Sequence, residues 1–259
     1  DVVPADELAK QQGLDPFGTR VPGATHSWQE YRRPRYCLAN GGSVPDQTSQ
    51  ELSSEAVIKL KSVAVFCASS NDADPSYIDL AQRVGQRLAH ERIILIYGGG
   101  HSGLMGAVAQ ATMEAGGEVT GVIPGGLFSN GIPEDEVTTL EVVADMHQRK
   151  ARMYELSDGF IGLPGGLGTF EEVFEAATWT QLGLHAGGRS KTIVLLDEDG
   201  FWDGAHALLD KATAGGVLTE TNRPIIQGAS SIDETLRILR ADRANDLPQF
   251  VNDQANNSG

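Results

Sequence analysis

Short apolar runs alternate with stretches of helical spacing through the middle of the chain. The apolar runs are rich in β-branched residues, which is typical of strands buried on both faces of a sheet. Strands are predicted at residues 62–69, 92–99, 118–124, 137–144, 159–164, 191–197 and 224–227. Helices are predicted at residues 75–90, 102–115, 145–157, 169–182, 201–214 and 231–240. This order predicts an α/β fold: a Rossmann-like, doubly wound parallel sheet with helices on both faces.

The regular alternation covers residues 59–243, which we interpret as one Rossmann-like domain. Residues 1–58 mix Pro, Gly, Gln and Ser without a sustained period, so we expect an irregular N-terminal arm. The aromatic and basic cluster at residues 28–36 either docks on the domain or a neighbouring subunit, or belongs to a loosely ordered leader. Residues 244–259 have the composition of a disordered tail.

The charge and the cysteine content exclude several classes of function. A formal net charge of -15 argues against sequence-independent binding to nucleic acid or to anionic membranes, because both need basic patches. No apolar run approaches the roughly 20 residues of a membrane span, and the first residues lack the layout of a signal peptide. The two cysteines, Cys37 and Cys67, are too few for a disulfide framework, so we expect a cytoplasmic protein.

Small residues follow three of the predicted strands. The first strand ends in Ala68-Ser69-Ser70, the second in the glycine-rich segment 98–103, and the fifth in the segment 163–172, LPGGLGTFEE. In a doubly wound sheet, ligands bind outside the carboxyl ends of the strands. We therefore expect these three strand ends to converge on one site.

The segment 163–172 has the features of a phosphate-binding turn. Gly165, Gly166 and Gly168 are expected to allow positive φ angles and close approach of a ligand, while the next helix supplies free N–H groups. The segment lacks the Lys of a P-loop, which favours a single phosphate over a triphosphate.

Two structural alternatives apply to these glycine-rich segments. Thr169 and Glu172 match a T-x-x-E capping box, and this interpretation can coexist with phosphate binding. Segment 98–103 matches the dinucleotide fingerprint G-x-G-x-x-G, which also needs an acidic residue at the carboxyl end of the next strand. The nearest candidate, Glu118, lies at the beginning of that strand, so we do not expect a dinucleotide cofactor.

Cations cluster where a helix dipole disfavours them. With Asp145 as N-cap, His147, Arg149 and Lys150 fall in the first turn and a half of the predicted helix. Each cation near a helix N-terminus costs about 0.3–1 kcal/mol. They either form a solvated face or point toward an anion held by the neighbouring turn.

A phosphate on the amides of residues 166–169 would repel Glu171 and Glu172, unless one of them points toward the sugar. A carboxylate near an anomeric carbon can stabilise an oxocarbenium-like transition state or activate a water. Arg149 would balance and orient that carboxylate, and Lys150 would assist with the phosphate.

The paired motifs M-H-x-R-K at residues 146–150 and P-G-G-x-G-T-x-x-E at residues 164–172 resemble the LONELY GUY (LOG) family. The resemblance also takes in CASS at residues 67–70, GGGHSGLMG at 98–106 and TWTQLG at 178–183. It implies a Rossmann-like fold and hydrolysis of the N-glycosidic bond of cytokinin riboside 5′-monophosphates, without a metal or cofactor. The products would be a free N6-substituted adenine and ribose 5-phosphate.

The resemblance implies a set of site residues. The catalytic pair would be Arg149 and Glu172, and either Glu134 or Glu136 would supply a further glutamate. With the strand ends, the expected substrate-binding residues are Lys150, Gly165, Gly166, Leu167, Gly168, Thr169, Phe170, Glu171, Thr178, Ser69, Ser70, Gly99, Gly100 and Met105. The family motif C-G-S-S is C-A-S-S here, so Ala68 replaces a glycine near the ligand.

The resemblance further implies a homodimer or a higher oligomer with the site near the subunit boundary. One alternative function is a nucleotide or molybdenum-cofactor carrier of the same fold that does not hydrolyse its ligand. A lysine decarboxylase would need a Lys bound to pyridoxal phosphate, and none of the lysines stands in a recognisable setting for a Schiff base.

Overall fold

The structure is a computed structural model that describes residues 60–125, 137–186 and 190–241. These residues form a parallel sheet of seven strands in the order β4-β3-β2-β1-β5-β6-β7. The strands are β1 Ser62–Phe66, β2 Ile94–Tyr97, β3 Val119–Pro124, β4 Thr139–Val143, β5 Gly159–Gly162, β6 Ile193–Leu196 and β7 Ile226–Ala229. The α-helices are α1 Pro75–His90, α2 Gly103–Glu114, α3 Met146–Leu156, α4 Leu167–Leu182, α5 Asp203–Ala214 and α6 Ile232–Arg240. The predicted Rossmann-like fold is confirmed.

The order of strands reverses at β1. From β1 the chain adds β2, β3 and β4 outward on one side, and β5 then pairs with the opposite side of β1. Val63 of β1 is accordingly in register with Leu95 of β2 and with Gly159 of β5. A crevice therefore opens at the carboxyl ends of β1 and β5, where the two halves of the sheet diverge.

The hydrophobic core lies on both faces of the sheet, because successive strand residues point to opposite sides. Val65 packs on the face that also holds Leu104 of α2, whereas Phe66 packs on the face that holds Tyr154 of α3 and Val173 of α4. Strands covered in this way explain the continuous apolar runs in the sequence.

Several predicted bounds differ from the observed ones by one to three residues, and two of these differences change the interpretation. Helix α4 begins at Leu167 and not at Thr169, so the glycine-rich segment enters the helix two residues early. The last strand is Ile226–Ala229 and not residues 224–227, because Arg223–Ile225 forms a 3-10 turn that delays it. Helix α1 matches its predicted bounds and begins with Pro75 after the Asp74 cap.

Several expectations fall outside the described residues. They are the N-terminal arm at residues 1–58, the tail at 244–259, and Glu134 and Glu136. The structure also bears on membrane spans: among the described helices, none combines the length and hydrophobicity needed to cross a bilayer.

Candidate active site

The three strand ends singled out by their small residues are neighbours in the structure. The amide of Ala68 donates to the carbonyl of Pro164 at 3.2 Å, and the carbonyl of Ala68 accepts from the amide of Met105 at 3.2 Å. The loop after β1 thus joins the turn before α4 to the beginning of α2. The expected convergence is confirmed, and it falls at the reversal of strand order.

Among the described residues, the first amides of α4 have no hydrogen-bond partner, and Gly166, Leu167 and Gly168 are exposed. Gly166 is the N-cap and provides no side-chain cap, and the first helical bond runs from Phe170 N–H to Gly166 O at 3.0 Å. The amides of Leu167, Gly168 and Thr169 therefore lack partners within the helix. A Cβ added at Gly166 or Gly168 would meet nothing within 4 Å. Such a helix N-terminus can bind an anion.

The glycines of this turn do not provide positive φ angles, so that expectation is wrong. Gly166 has φ -98, and among the described glycines neither Gly165, Gly166 nor Gly168 has a positive φ. Gly165 is needed because a Cβ there would lie 2.1 Å from Thr169 Oγ1. The packed Thr169 side chain thus requires a residue without a side chain at position 165.

The capping-box interpretation of Thr169 and Glu172 is also wrong. A capping box places its Thr at the N-cap, but the N-cap is Gly166 and Thr169 is the third residue inside the helix. Glu172 therefore lies in the second turn of α4, where its side chain reaches a partner on another helix.

That partner is Arg149 of α3. Arg149 Nη1 donates to Glu172 Oε1 at 3.0 Å, and the two side chains are only 9% and 11% exposed. Arg149 Nε also donates to the carbonyl of Val122 at the end of β3, at 3.2 Å. A Cβ on Gly98 would lie 1.6 Å from Arg149 Nη2. The first glycine after β2 thus makes room for the guanidinium, a role that the sequence reasoning missed.

Burial shifts the pKa of Glu172 in this pair. The pKa of the Glu172 carboxyl is raised, and burial is the main cause. The positive charge of Arg149 lowers this pKa, whereas the negative charge of Glu171 raises it. Burial likewise raises the pKa of the Cys67 thiol, and the Glu172 charge raises it further. Cys67 is therefore a neutral thiol near the pair.

Helix α3 is capped as predicted. Asp145 accepts from Gln148 N–H at 2.8 Å, and Gln148 Oε1 accepts from Ala144 N–H at 3.2 Å. Arg149 and Lys150 are 7% and 6% exposed, so the solvated-face alternative is wrong for them. It holds for the exposed His147. Carboxylates of α4 compensate the two buried cations.

Lys150 lies between two of these carboxylates. Its ammonium contacts Glu171 Oε1 and lies 2.9 Å from Glu175 Oε2. Burial lowers the pKa of Lys150, but hydrogen bonds to both carboxylates outweigh this and the pKa is raised. Glu175 also accepts from Tyr154 Oη at 2.7 Å. Glu175 was missed in the sequence, although its i+4 spacing from Glu171 places both on one helix face.

The segment after β2 lines the other side of the crevice. Gly99 and Gly103 have φ angles of 74 and 59, so both positions favour glycine. Gly100 N–H donates to Met105 Sδ at 3.3 Å, and Gly103 N–H donates to Asn71 Oδ1 at 3.0 Å. Asn71, which the sequence reasoning also missed, ties the loop after β1 to α2.

A cavity of about 360 Å³ opens beside this segment. Its lining combines apolar side chains with His101 and Gln110, and the complete set is Tyr97, Gly100, His101, Gly106, Ala109, Gln110 and Met113. Ser69 and Ser70 are exposed at the neighbouring strand end. The structure therefore brings Ser69, Ser70, Gly99, Gly100 and Met105 to one edge of the sheet.

Two expected binding residues point elsewhere. Phe170 packs edge-on against Trp202 with ring centroids 5.6 Å apart. Thr178 is exposed and donates to the carbonyl of Phe174 at 2.8 Å. Thr178 lies nine residues beyond Thr169, about 13 Å along the helix. Within one protomer it is not brought to the turn.

The buried lysines do not stand free for a Schiff base. Lys150 is paired with carboxylates, and Lys191 Nζ donates to the carbonyls of Tyr154 and Ser157, each at 2.6 Å. Within the described part of the chain, no group of three or more His, Cys, Asp or Glu side chains is arranged to hold a metal ion.

The chain is similar in sequence to a family of known proteins. The family described as "Possible lysine decarboxylase" matches residues 105–239. The cytokinin riboside 5′-monophosphate phosphoribohydrolase LOG7 of Arabidopsis thaliana is 43% identical over 185 residues, 71% of this chain and 83% of LOG7. LOG1 of the same plant, which carries the same activity name, is 44% identical over 181 residues, 70% of this chain and 83% of LOG1.

Solved structures share the fold at low identity. The molybdenum cofactor carrier protein of Chlamydomonas reinhardtii has a TM-score of 0.53 and 21% identity, covering 70% of this chain and 96% of that chain. The molybdenum cofactor binding protein of Rippkaea orientalis has a TM-score of 0.52 and 22% identity, with 70% and 96% covered. These likenesses establish a common fold and nothing about ligands.

Proposed function

The chain belongs to the LONELY GUY (LOG) family of cytokinin riboside 5′-monophosphate phosphoribohydrolases, and from that premise we propose the reaction and its geometry. The enzyme hydrolyses the N-glycosidic bond of N6-substituted adenosine 5′-monophosphates and releases the free base and ribose 5-phosphate. The observation that carries this function is the buried Arg149–Glu172 pair, which lies beside a helix N-terminus with open amides.

The turn before α4 would seat the 5′-phosphate. The amides of Leu167, Gly168 and Thr169 supply donors at the positive end of the helix dipole. Lys150 belongs to α3, and its ammonium supplies a full positive charge next to Glu171, about one turn further along α4 than the amides. This arrangement matches a single phosphate group, because the turn lacks the Lys with which a P-loop reaches the β- and γ-phosphates.

Seating the phosphate there would direct the sugar toward Glu172. As the bond between C1′ and the base nitrogen breaks, positive charge develops on the sugar, and a nearby carboxylate stabilises it. The carboxylate can also accept a proton from the water whose oxygen bonds to C1′, and that proton passes to the departing base nitrogen as its bond to C1′ breaks. Arg149 keeps the Glu172 carboxyl in place and favours its ionised form.

The test is a product assay with AMP and N6-isopentenyl-AMP. We expect free base and ribose 5-phosphate from the isopentenyl nucleotide with wild-type protein, and a loss of activity of about 100-fold or more in Glu172→Gln, because the variant lacks the carboxylate charge. Circular dichroism and melting of both proteins control for folding. Release of inorganic phosphate, or equal turnover by the variant, would contradict the proposed chemistry.

The Arg149–Glu172 pair distinguishes the proposed hydrolase from a cofactor carrier of the same fold. A carrier needs the anion-binding turn but not a buried carboxylate balanced by a guanidinium beside the sugar position. The carrier proteins resemble this chain at 21% and 22% identity, which supports the fold only.

We also propose that the protein forms a homodimer. Leu167, Phe174 and Thr178 lie on one exposed face of α4, with Leu167 85% exposed and Phe174 36% exposed. Pairing these faces would cover the apolar side chains and carry Thr178 toward the site of the partner. Higher oligomers would use other surfaces. A cytoplasmic location is part of the proposal, since Cys67 is a buried free thiol.

A further inference from the structure

The two carboxylates that hold Lys150 are not equivalent. The side chain of Lys150 is 8% exposed, whereas that of Glu171 is 54% exposed and that of Glu175 is 30% exposed. Surface ion pairs contribute little, because water competes for the charges. Breaking a well-buried contact costs more, because the remaining charge stays desolvated. Glu171 is therefore the partner that Lys150 can lose more easily.

Glu175 has a second anchor that Glu171 lacks among the described contacts. Tyr154 Oη donates to Glu175 Oε2 at 2.7 Å and lies 3.4 Å from the backbone carbonyl of Glu172. The Tyr154 ring is 1% exposed. It packs edge-on against Phe160 and Trp179, with ring centroids 5.6 and 5.1 Å apart. A phenol held in this way fixes Glu175, and Glu175 in turn fixes the Lys150 ammonium.

The charge balance explains why one partner must be exchangeable. Glu171, Glu172 and Glu175 carry three potential negative charges near the turn, against the two positive charges of Arg149 and Lys150. A phosphate that arrives on the open amides adds further negative charge within one helical turn of Glu171. Exchange of Glu171 for the phosphate on Lys150 relieves this repulsion, while Glu175 stays in place.

We propose that Tyr154 and Glu175 are positioning residues for the phosphate site, holding Lys150 against the first half of α4 while the incoming phosphate displaces Glu171 from it. The proposal rests on the proposed function for the location of the phosphate. It assigns opposite effects to two carboxylates that contact the same ammonium. A purely structural network would not produce such opposite effects on ligand binding.

The test is a titration with inorganic phosphate followed by ³¹P NMR, which requires no turnover. We expect Tyr154→Phe to weaken phosphate binding about 2- to 10-fold, the effect of one lost hydrogen bond, and Glu175→Gln to weaken it in the same direction. Glu171→Gln removes the competitor and should tighten binding about 2- to 5-fold. Tyr77→Phe is the matched control: it removes the Tyr77 hydroxyl of α1, which interacts with Asp199, and should leave binding unchanged because Tyr77 packs on the face of the sheet opposite to α3.

Different results of this titration would overturn the positioning role, the exchange of Glu171 and the proposed function. Unchanged phosphate affinity in Tyr154→Phe and Glu175→Gln, with only the melting temperature lowered, would overturn the positioning role. Weaker binding in Glu171→Gln would overturn the exchange. If Glu175→Gln does not fold, the isosteric Tyr154→Phe decides the positioning role. A wild-type protein that binds phosphate with these variant effects but releases no base would contradict the proposed function and leave the inference standing.

Discussion

The absence of a side chain at Gly98 creates the space in which the Arg149 guanidinium meets Glu172. The conflict with an added methyl group would involve the tip of a flexible side chain and not the backbone. The fold can therefore survive a substitution that the ion pair cannot.

We predict that Gly98→Ala lowers kcat/KM by about 100-fold, because displacement of a catalytic group by about 1 Å has effects of this size. The melting temperature should fall as well, because a displaced guanidinium leaves the buried Glu172 charge less well compensated. The measurement is steady-state hydrolysis of the isopentenyl nucleotide together with thermal melting. Gly204→Ala is the control, because a Cβ at this exposed position of α5 meets nothing within 4 Å. Full activity in Gly98→Ala would show that Arg149 tolerates the shift.

The raised pKa of Glu172 predicts the acid side of the pH profile. Protonation removes the negative charge that the reaction needs, so kcat/KM should fall as the pH drops through the pKa of Glu172, which lies above its ordinary value of 4.5. Burial is the main cause, and Arg149 opposes it. Arg149→Met should therefore raise the pKa further. A ¹³C NMR titration of the Glu172 carboxyl measures its pKa in the wild-type protein and in the variant. A lower pKa in Arg149→Met would contradict the prediction.

At the scale of elements, the cap of α3 supports the site. Helix α3 carries two buried cations near its positive end, so its first turn depends on the Asp145 side chain that accepts from Gln148 N–H. The glycine turn of α4 works in the opposite way, since Gly166 leaves amides uncapped for a ligand. One helix N-terminus is closed by its own side chain and the other is open.

We predict that Asp145→Ala lowers the free energy of unfolding by about 0.5–2 kcal/mol, the range for loss of an N-cap, and also lowers kcat/KM because Arg149 lies in the next turn. Urea denaturation and steady-state kinetics measure the two effects. Ser231→Ala removes the corresponding cap of α6, where Ser231 accepts from Glu234 N–H at 3.2 Å. It should cost similar stability and leave kcat/KM intact. Equal kinetic effects in both variants would argue against a local role of α3.

At the scale of the whole molecule, the exposed face of α4 predicts the oligomeric state. We expect wild-type protein to scatter light as a particle of twice the 27.6 kDa chain mass. Phe174→Glu places a charge within the proposed contact and should give monomers with lower activity, because Thr178 would no longer reach the partner. Leu208→Glu on α5, where Leu208 is 60% exposed, should stay dimeric. A fully active wild-type monomer would contradict the dimer.

Much of the architecture could be predicted because it depends on local patterns. Apolar runs that alternate with helical spacing predicted the parallel sheet, and Asp145 with Gln148 predicted the cap of α3. Small residues after three strands predicted that these strand ends meet, which their hydrogen bonds confirm, since parallel strands end at one edge. The paired motifs indicated the family, which relatives at 43% and 44% identity confirm.

Patterns along the chain thus specify the order of the elements and the types of chemical group available, because these depend on residues a few positions apart. Tertiary packing decided that Thr169 lies inside α4, that Gly98 accommodates Arg149, and that Lys150 meets Glu175 as well as Glu171. Arg149 and Glu172 are 23 residues apart. Their pairing and the raised pKa of Glu172 arise only when two helices pack over the sheet and exclude water.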